Sequence, residues 1–408
     1  VMADATTLHR RLALDRRPRI RLGVAIFLGG MLLPLLLGFA GEDPFRDPLQ
    51  AEKKEELRGR HSNSMPPETP AREEVRFVEA WRFPLGAPLS GPLLPLDPLV
   101  VASMESGRVD ALSLSEGRPL WKVDLAKSLR GGPVDFGGHV VQATTSGEVV
   151  ALDPSSGETS WNRDLGSEIA HGPTVTRESL LVPLAAAALV SLKEKGGERW
   201  RVHLRSAPST PIAACRGFVV VGTEAGTVEA YDRESGRQLW IFQGASPVRS
   251  QPLCRRGLIF FGTADYRFTA LRYSGRRKWS YKVGGDVTAA PFVLGNRVYF
   301  LCFDNYLYAL NARTGSLLLK VRLSHRLSDS ALRVSSRLYL SPFTSARLLA
   351  LALPDLALAG EYKLDLEGDW FTTPPVRAGD RILIGYGRYE GRILALREEA
   401  APPPAPGS

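Results

Sequence analysis

The stretch ALDPSSGETSW, residues 151–161, starts on a small apolar residue, turns through Asp153 and Gly157, and ends on Trp161. The same pattern returns as ALSLSEGRPLW ending at Trp121, VSLKEKGGERW at Trp200, AYDRESGRQLW at Trp240 and ALRYSGRRKW at Trp279. These tryptophans stand 39 or 40 residues apart. Trp81 precedes Trp121 by 40, and Leu319 takes the slot 40 after Trp279. A period near 40 sustained over so many units marks a repeat architecture.

Each unit extends upstream of its tryptophan. Residues 288–323 read as TAAPFVLG, RVYFLCFD, YLYALNAR and SLLLKVRL, four apolar runs of strand length separated by Gly, Asn or Asp. Four short antiparallel strands per 40 residues describe one blade of a β-propeller. Third-strand positions at Ala111, Ala151, Val190, Ala230, Ala270, Ala309, Ala350 and Ala395 count eight units. The last unit stops after three strands. RFVEAWRFPL, residues 76–85, carries the unassigned Trp81 and supplies the missing fourth strand, which closes the ring and covers two open sheet edges. The predicted fold is therefore all-β: an eight-bladed propeller of four-stranded antiparallel blades, preceded by an N-terminal transmembrane helix.

The repeat residues follow from that geometry. Gly117, Gly157, Gly196, Gly236, Gly275 and Gly315 fall in the turn between third and fourth strands, where a positive φ costs glycine little. Trp81, Trp121, Trp161, Trp200, Trp240 and Trp279 begin the outer strand. They are predicted to wedge between blades, each ring burying ~150–250 Å².

Outside the repeat the chain divides by composition. Residues 1–21 form a basic leader with six arginines, residues 22–40 an uncharged apolar run, residues 41–75 a polar linker and residues 399–408 a Pro-rich disordered tail; residues 76–398 are the propeller. Nineteen residues at ~1.5 Å rise per residue reach across a bilayer core. Residues 22–40 therefore read as a transmembrane helix or signal anchor, either retained or cleaved after small residues. The arginines ahead of it keep the N-terminus cytoplasmic, so the propeller is exported. They also account for much of the formal charge of +9, and no nucleic-acid motif appears elsewhere, so nucleic acid is not an expected partner.

Chemistry-bearing residues are sparse. The six histidines show no metal-ligand spacing, and nucleophile elbow, P-loop and metal motifs are lacking. The expectation is no enzyme, no catalytic residue, no metal and no cofactor. Cys215 and Cys254 occupy one repeat slot, while Cys302 shares another with Gly222 and Gly262. Equivalent slots in adjacent blades are expected beyond the ~7 Å Cα limit for a disulfide, so all three are read as free strand residues.

The AxDxxxGxxxW pattern, most complete at Ala151, Asp153, Gly157 and Trp161, resembles the repeat of pyrroloquinoline-quinone propellers. That repeat is shared by large quinoprotein dehydrogenases and by the BamB family of the outer-membrane β-barrel assembly machinery. The dehydrogenases' vicinal cysteines and pocket-building insertions are missing, whereas Leu204-Arg205-Ser206-Ala207-Pro208 resembles a partner-docking interblade segment of the BamB family. The resemblance implies a periplasmic, non-catalytic scaffold, monomeric within a larger complex, whose partner is an envelope protein such as a BamA-like barrel assembly factor. Leu204 and Arg205 are the implied contacts, with Arg249 in the next interblade loop; the plainer reading has Leu204 ending a strand and Arg205 as a solvated turn residue. That next loop lacks the family's aspartates, while residues 326–329, RLSD, resemble another family stretch. Lacking a lipid-modified cysteine, the chain is expected to be anchored at the inner membrane by its helix. The competing readings are a quinone- or sugar-binding propeller, as sensor or enzyme, and an adaptor in another envelope machine.

Overall fold

The computed structural model describes residues 74–323, 331–342, 345–365 and 368–400. The leader, the apolar run at 22–40, nearly all of the linker, the RLSD stretch and residues 401–408 of the tail lie outside the described residues; Val75, Glu399 and Ala400, expected in linker and tail, instead extend the strands that close the ring. Among those described, no helix is long and apolar enough to cross a membrane.

The described chain folds into eight four-stranded sheets. Blade 1 shows the plan, with strands Leu94–Leu96, Leu99–Ser103, Arg108–Ser113 and Pro119–Asp124 laid side by side in order. Six further blades repeat it. In the eighth, the outer strand is Val75–Pro84 from the N-terminal end, paired with Arg392–Ala400 in the order expected for closure.

Burial follows position in the blade. Second strands such as Leu99–Ser103 and Phe218–Gly222 are buried at every residue, because blades cover both of their faces. Outer strands such as Pro119–Asp124 alternate between exposed and half-buried. All eight outer pairings slip by one residue beside the motif position: Trp121 opposes Ala111, Trp240 opposes Ala230, and in blade 8 Trp81 opposes Ala395. In blade 3 the partner of Trp200 is Ser191, one place beyond the Val190 that the register suggests.

Each tryptophan packs on the next blade through one recurring contact. A Cβ added to Gly117 would meet the ring of Trp81 at 2.6 Å, and one added to Gly157 would meet that of Trp121 at 2.6 Å. The four other motif glycines face the tryptophan of the preceding blade in the same way. The turn glycine thus serves twice, by adopting φ near +70° and by admitting the neighbouring indole. In five of the six the indole N–H then donates to a carbonyl of that turn, as from Trp121 to Pro154 at 2.8 Å and from Trp240 to Tyr273 at 2.7 Å; that of Trp161 is buried without a partner. Where Leu319 replaces tryptophan, the facing turn carries Leu356 at φ +63°, and both side chains join one apolar cluster. A small–large pair has become two of middle size.

The cysteine reading needs correction. Cys215 and Cys254 are joined in a disulfide, with Cα atoms 5.3 Å apart. The slot lies at the innermost strands, Ala213–Ala214 and Leu253–Arg255, where blades converge on the ring's axis. Spacing between equivalent slots shrinks toward that axis, which a linear sequence does not display. Cys302 is free and buried.

Candidate docking site

Antiparallel strands put the interblade loops and the second-to-third turns on one rim of the propeller; the remaining turns form the other. On the first rim, the loop between blades 3 and 4 follows strand Glu198–His203 and the loop between blades 4 and 5 follows strand Gln238–Gln243. The turn between Phe218–Gly222 and Thr227–Asp232 of blade 4 joins them. Its Glu224 backbone N–H donates to the Ala207 carbonyl at 2.9 Å, and its carboxylate lies 3.7 Å from the Arg249 guanidinium. Arg205 and Arg249 therefore belong to two loops tied to one turn, and both are exposed.

Leu204 stands elsewhere. Its side chain is 7% exposed and packs with Trp200, Ile212, Val219 and Tyr231. It is a repeat residue, as the column Leu85, Leu125, Leu165, Leu204, Leu323, Leu364 makes plain once blades are superposed. Pro208 is likewise buried and bridges to Thr223. Within LRSAP, the side chains left to a partner are those of Arg205, Ser206 and Ala207.

A buried carboxylate holds this loop. Glu229, in strand Thr227–Asp232, is fully buried. Its Oε1 accepts from the Arg205 backbone N–H at 3.1 Å and the Thr227 hydroxyl at 2.8 Å, and its Oε2 from the Tyr231 hydroxyl at 2.6 Å. Burial, reinforced by this carboxylate, holds the Tyr231 phenol well above its usual range, so it remains a donor. The same slot in blade 1 carries Asp110, paired with Arg108, whose guanidinium donates to the Leu85 carbonyl. In both blades a charged pleat position fixes the start of an interblade loop. Sequence alone gave no sign of Glu229, since a lone Glu in TVEAYD looks like an outward position of a half-buried strand.

His171, at the start of blade 3, adjoins the same loop through a hydrogen bond to the Pro208 backbone. Burial lowers its pKa, aided by Arg130 and opposed by the Pro208 bond and Glu224. The ring is therefore neutral at pH 7. Among the described residues no group of His, Cys, Asp and Glu is placed to hold a metal ion.

Comparison with known proteins follows the same lines. The family described as outer membrane protein assembly factor BamB matches residues 105–213, 185–336 and 272–398, together most of the chain. Curated proteins of that name align in part: 26% identity over 163 residues with the Shewanella oneidensis protein (36% of this chain, 41% of that one) and 28% over 193 residues with that of Escherichia coli (44% and 47%). The chain thus spans less than half the length of the curated relatives it matches. Among solved structures, BamB from Moraxella catarrhalis superposes with TM-score 0.66 at 16% identity, covering 80% of this chain and 99% of that one. A quinohemoprotein alcohol dehydrogenase from Pseudomonas putida HK5 gives TM-score 0.64 at 11% identity, covering 81% of this chain and 78% of that one. At such identities both likenesses show the fold.

Proposed function

The chain belongs to the family of the outer membrane protein assembly factor BamB, and from that premise we propose that its propeller is a non-catalytic scaffold of outer-membrane protein assembly, holding a barrel-assembly partner on the rim around Glu224. The observation that carries the reading is the Glu229 carboxylate, which orders the Arg205 loop from beneath and leaves its guanidinium exposed. An ordered arginine with a free fork of donors suits bidentate pairing with a partner's carboxylate or unpaired carbonyls. Arg249, half-engaged by Glu224, adds a second cation on the same side. An inter-blade disulfide fits an oxidising compartment such as the periplasm. In this reading residues 22–40 tether the chain at the inner membrane, and the partner is a BamA-like factor.

The test is co-purification from envelope membranes with Arg205→Ala plus Arg249→Ala at matched expression. Exposed arginines away from the core leave the fold within ~0.5 kcal/mol, so a fall in one partner reports docking. Recovery of every partner at the wild-type level would place the docking surface elsewhere. Leu204→Ala does not serve as this probe, since emptying a buried leucine site costs ~2–5 kcal/mol whatever the partner does.

A further inference from the structure

On the opposite rim, where blades 5 and 6 meet, lies a cavity of about 370 Å³. Leu258, Phe260, Val293 and Ala312 give it an apolar floor. Five cations surround it: Arg255, Arg256, Arg272, Lys278 and Arg313, with no carboxylate in the lining. Among the described residues none of the five forms an ion pair. Five like charges around one hollow repel each other, and nothing in the lining offsets that.

One of the five occupies a position where the local backbone calls for another residue, and a second stands where other blades carry a turn-capping acceptor. Arg256 sits at φ +52° in the turn between first and second strands, followed by Gly257 at φ +77°. Blade 2 places Gly137 and Gly138 in the corresponding turn. A long side chain in the left-handed region is uncommon, and such outliers gather at ligand sites. Arg272 stands at the position where Asp153, Asp232 and Asn311 cap longer third-to-fourth turns; the blade 5 turn is one residue shorter, its Gly275 N–H donating to the Arg272 carbonyl as Gly196 donates to Lys193 in blade 3. Asp153 accepts there from the Ser155 N–H at 2.8 Å, and Asn311 from the Arg313 N–H at 2.9 Å. An arginine side chain has no acceptor and cannot make that cap. A strained turn residue and a cation where other blades carry an acceptor thus both add positive charge to one cavity.

We propose that this cavity binds a phosphate ester of net negative charge, independently of the docking rim. The guanidinium groups engage the phosphate oxygens, which match their planar forks, and the apolar floor lies under the organic portion. Such a ligand could be a membrane phospholipid headgroup or a soluble phosphate ester; both present the same chemistry to the cavity.

The test uses the detergent-purified full chain and calorimetric titration with glycerol 3-phosphate, dihexanoyl phosphatidylglycerol and dihexanoyl phosphatidylcholine, the lipids below their micellar concentrations. The variant is Arg256→Gly plus Arg272→Asp, which relieves the positive φ at residue 256 and places at 272 the acidic residue of the longer turns, while removing two cations. It should melt no lower than wild type and bind the phosphate probes ~10-fold or more weakly, as expected for losing charge-assisted contacts. Phosphatidylglycerol binding well above both other probes assigns the site to a lipid headgroup. Equal binding of phosphatidylglycerol and glycerol 3-phosphate assigns it to soluble esters. Absence of binding by both phosphate monoester and phosphatidylglycerol, equal affinity for phosphatidylcholine, or unchanged binding by the variant overturns the proposal.

Discussion

Replacing Glu229 by alanine removes the acceptor for three donors beneath the docking loop. The Thr227 hydroxyl keeps a partner, because it also lies 2.7 Å from the Thr223 hydroxyl. The Arg205 N–H and the Tyr231 hydroxyl lose their acceptor; the hydroxyl still receives the Gln238 amide N–H at 3.2 Å, but as a donor it is left with the His203 carbonyl 3.5 Å away. Each buried donor left without a partner costs ~1–3 kcal/mol, so the pair amounts to ~2–6 kcal/mol before the vacated volume is counted. Glu229→Gln keeps the volume and one carbonyl for Arg205 and Thr227. Its amide can donate to the rotatable Tyr231 hydroxyl, so the change should cost ~1 kcal/mol. Two measurements decide the matter: urea unfolding for the global term, and amide hydrogen exchange at Arg205 for the local one. The alanine variant should lose exchange protection at Arg205 far more than at Val219, a strand amide in the same blade. Protection at Arg205 equal to wild type, with a stability change below ~1 kcal/mol, would refute the claim that this carboxylate orders the loop.

Three further outcomes follow from the same structure. Reducing Cys215–Cys254, or replacing both by serine, releases a loop of 39 residues and should lower unfolding free energy by ~2–4 kcal/mol; urea midpoints with and without reductant measure it. Leu319→Trp should cost ~1–3 kcal/mol because Leu356 already fills the space a tryptophan needs, and Leu356→Gly in the same chain should recover much of it, by thermal melting. His171 is held neutral in the folded state with its pKa below the unfolded value near ~6.5. The unfolded chain therefore binds the proton first, and stability contributed above that pH is lost as pH falls through and below ~6.5. His171→Gln should flatten the melting curve's pH dependence between about 7 and 5.

How far the residues announced this molecule differs between its parts. The tryptophan period carried the repeat length, the third-strand positions from Ala111 to Ala395 the blade count, and Trp81 the closure, because a wedge between blades recurs at the blade's own length. The contact that sets the period, Trp121 against Gly157 and its five counterparts, lies between blades and so was legible only as spacing. The docking segment was harder. LRSAP drew the eye as a motif, while the leucine column from Leu85 to Leu364 already placed Leu204 in the core. Glu229 was hidden because a blade's inner strands are covered on both faces, which erases the alternation that separates inward from outward residues. The disulfide depended on the convergence of inner strands, a property of the closed ring.

The most direct test of the docking rim is site-specific photo-crosslinking in the intact envelope. A photoreactive residue at Ser206, beside Arg205, should capture a barrel-assembly factor, and the same residue at Glu234, on the opposite rim, should not. Capture from position 234 with none from 206 would contradict the account.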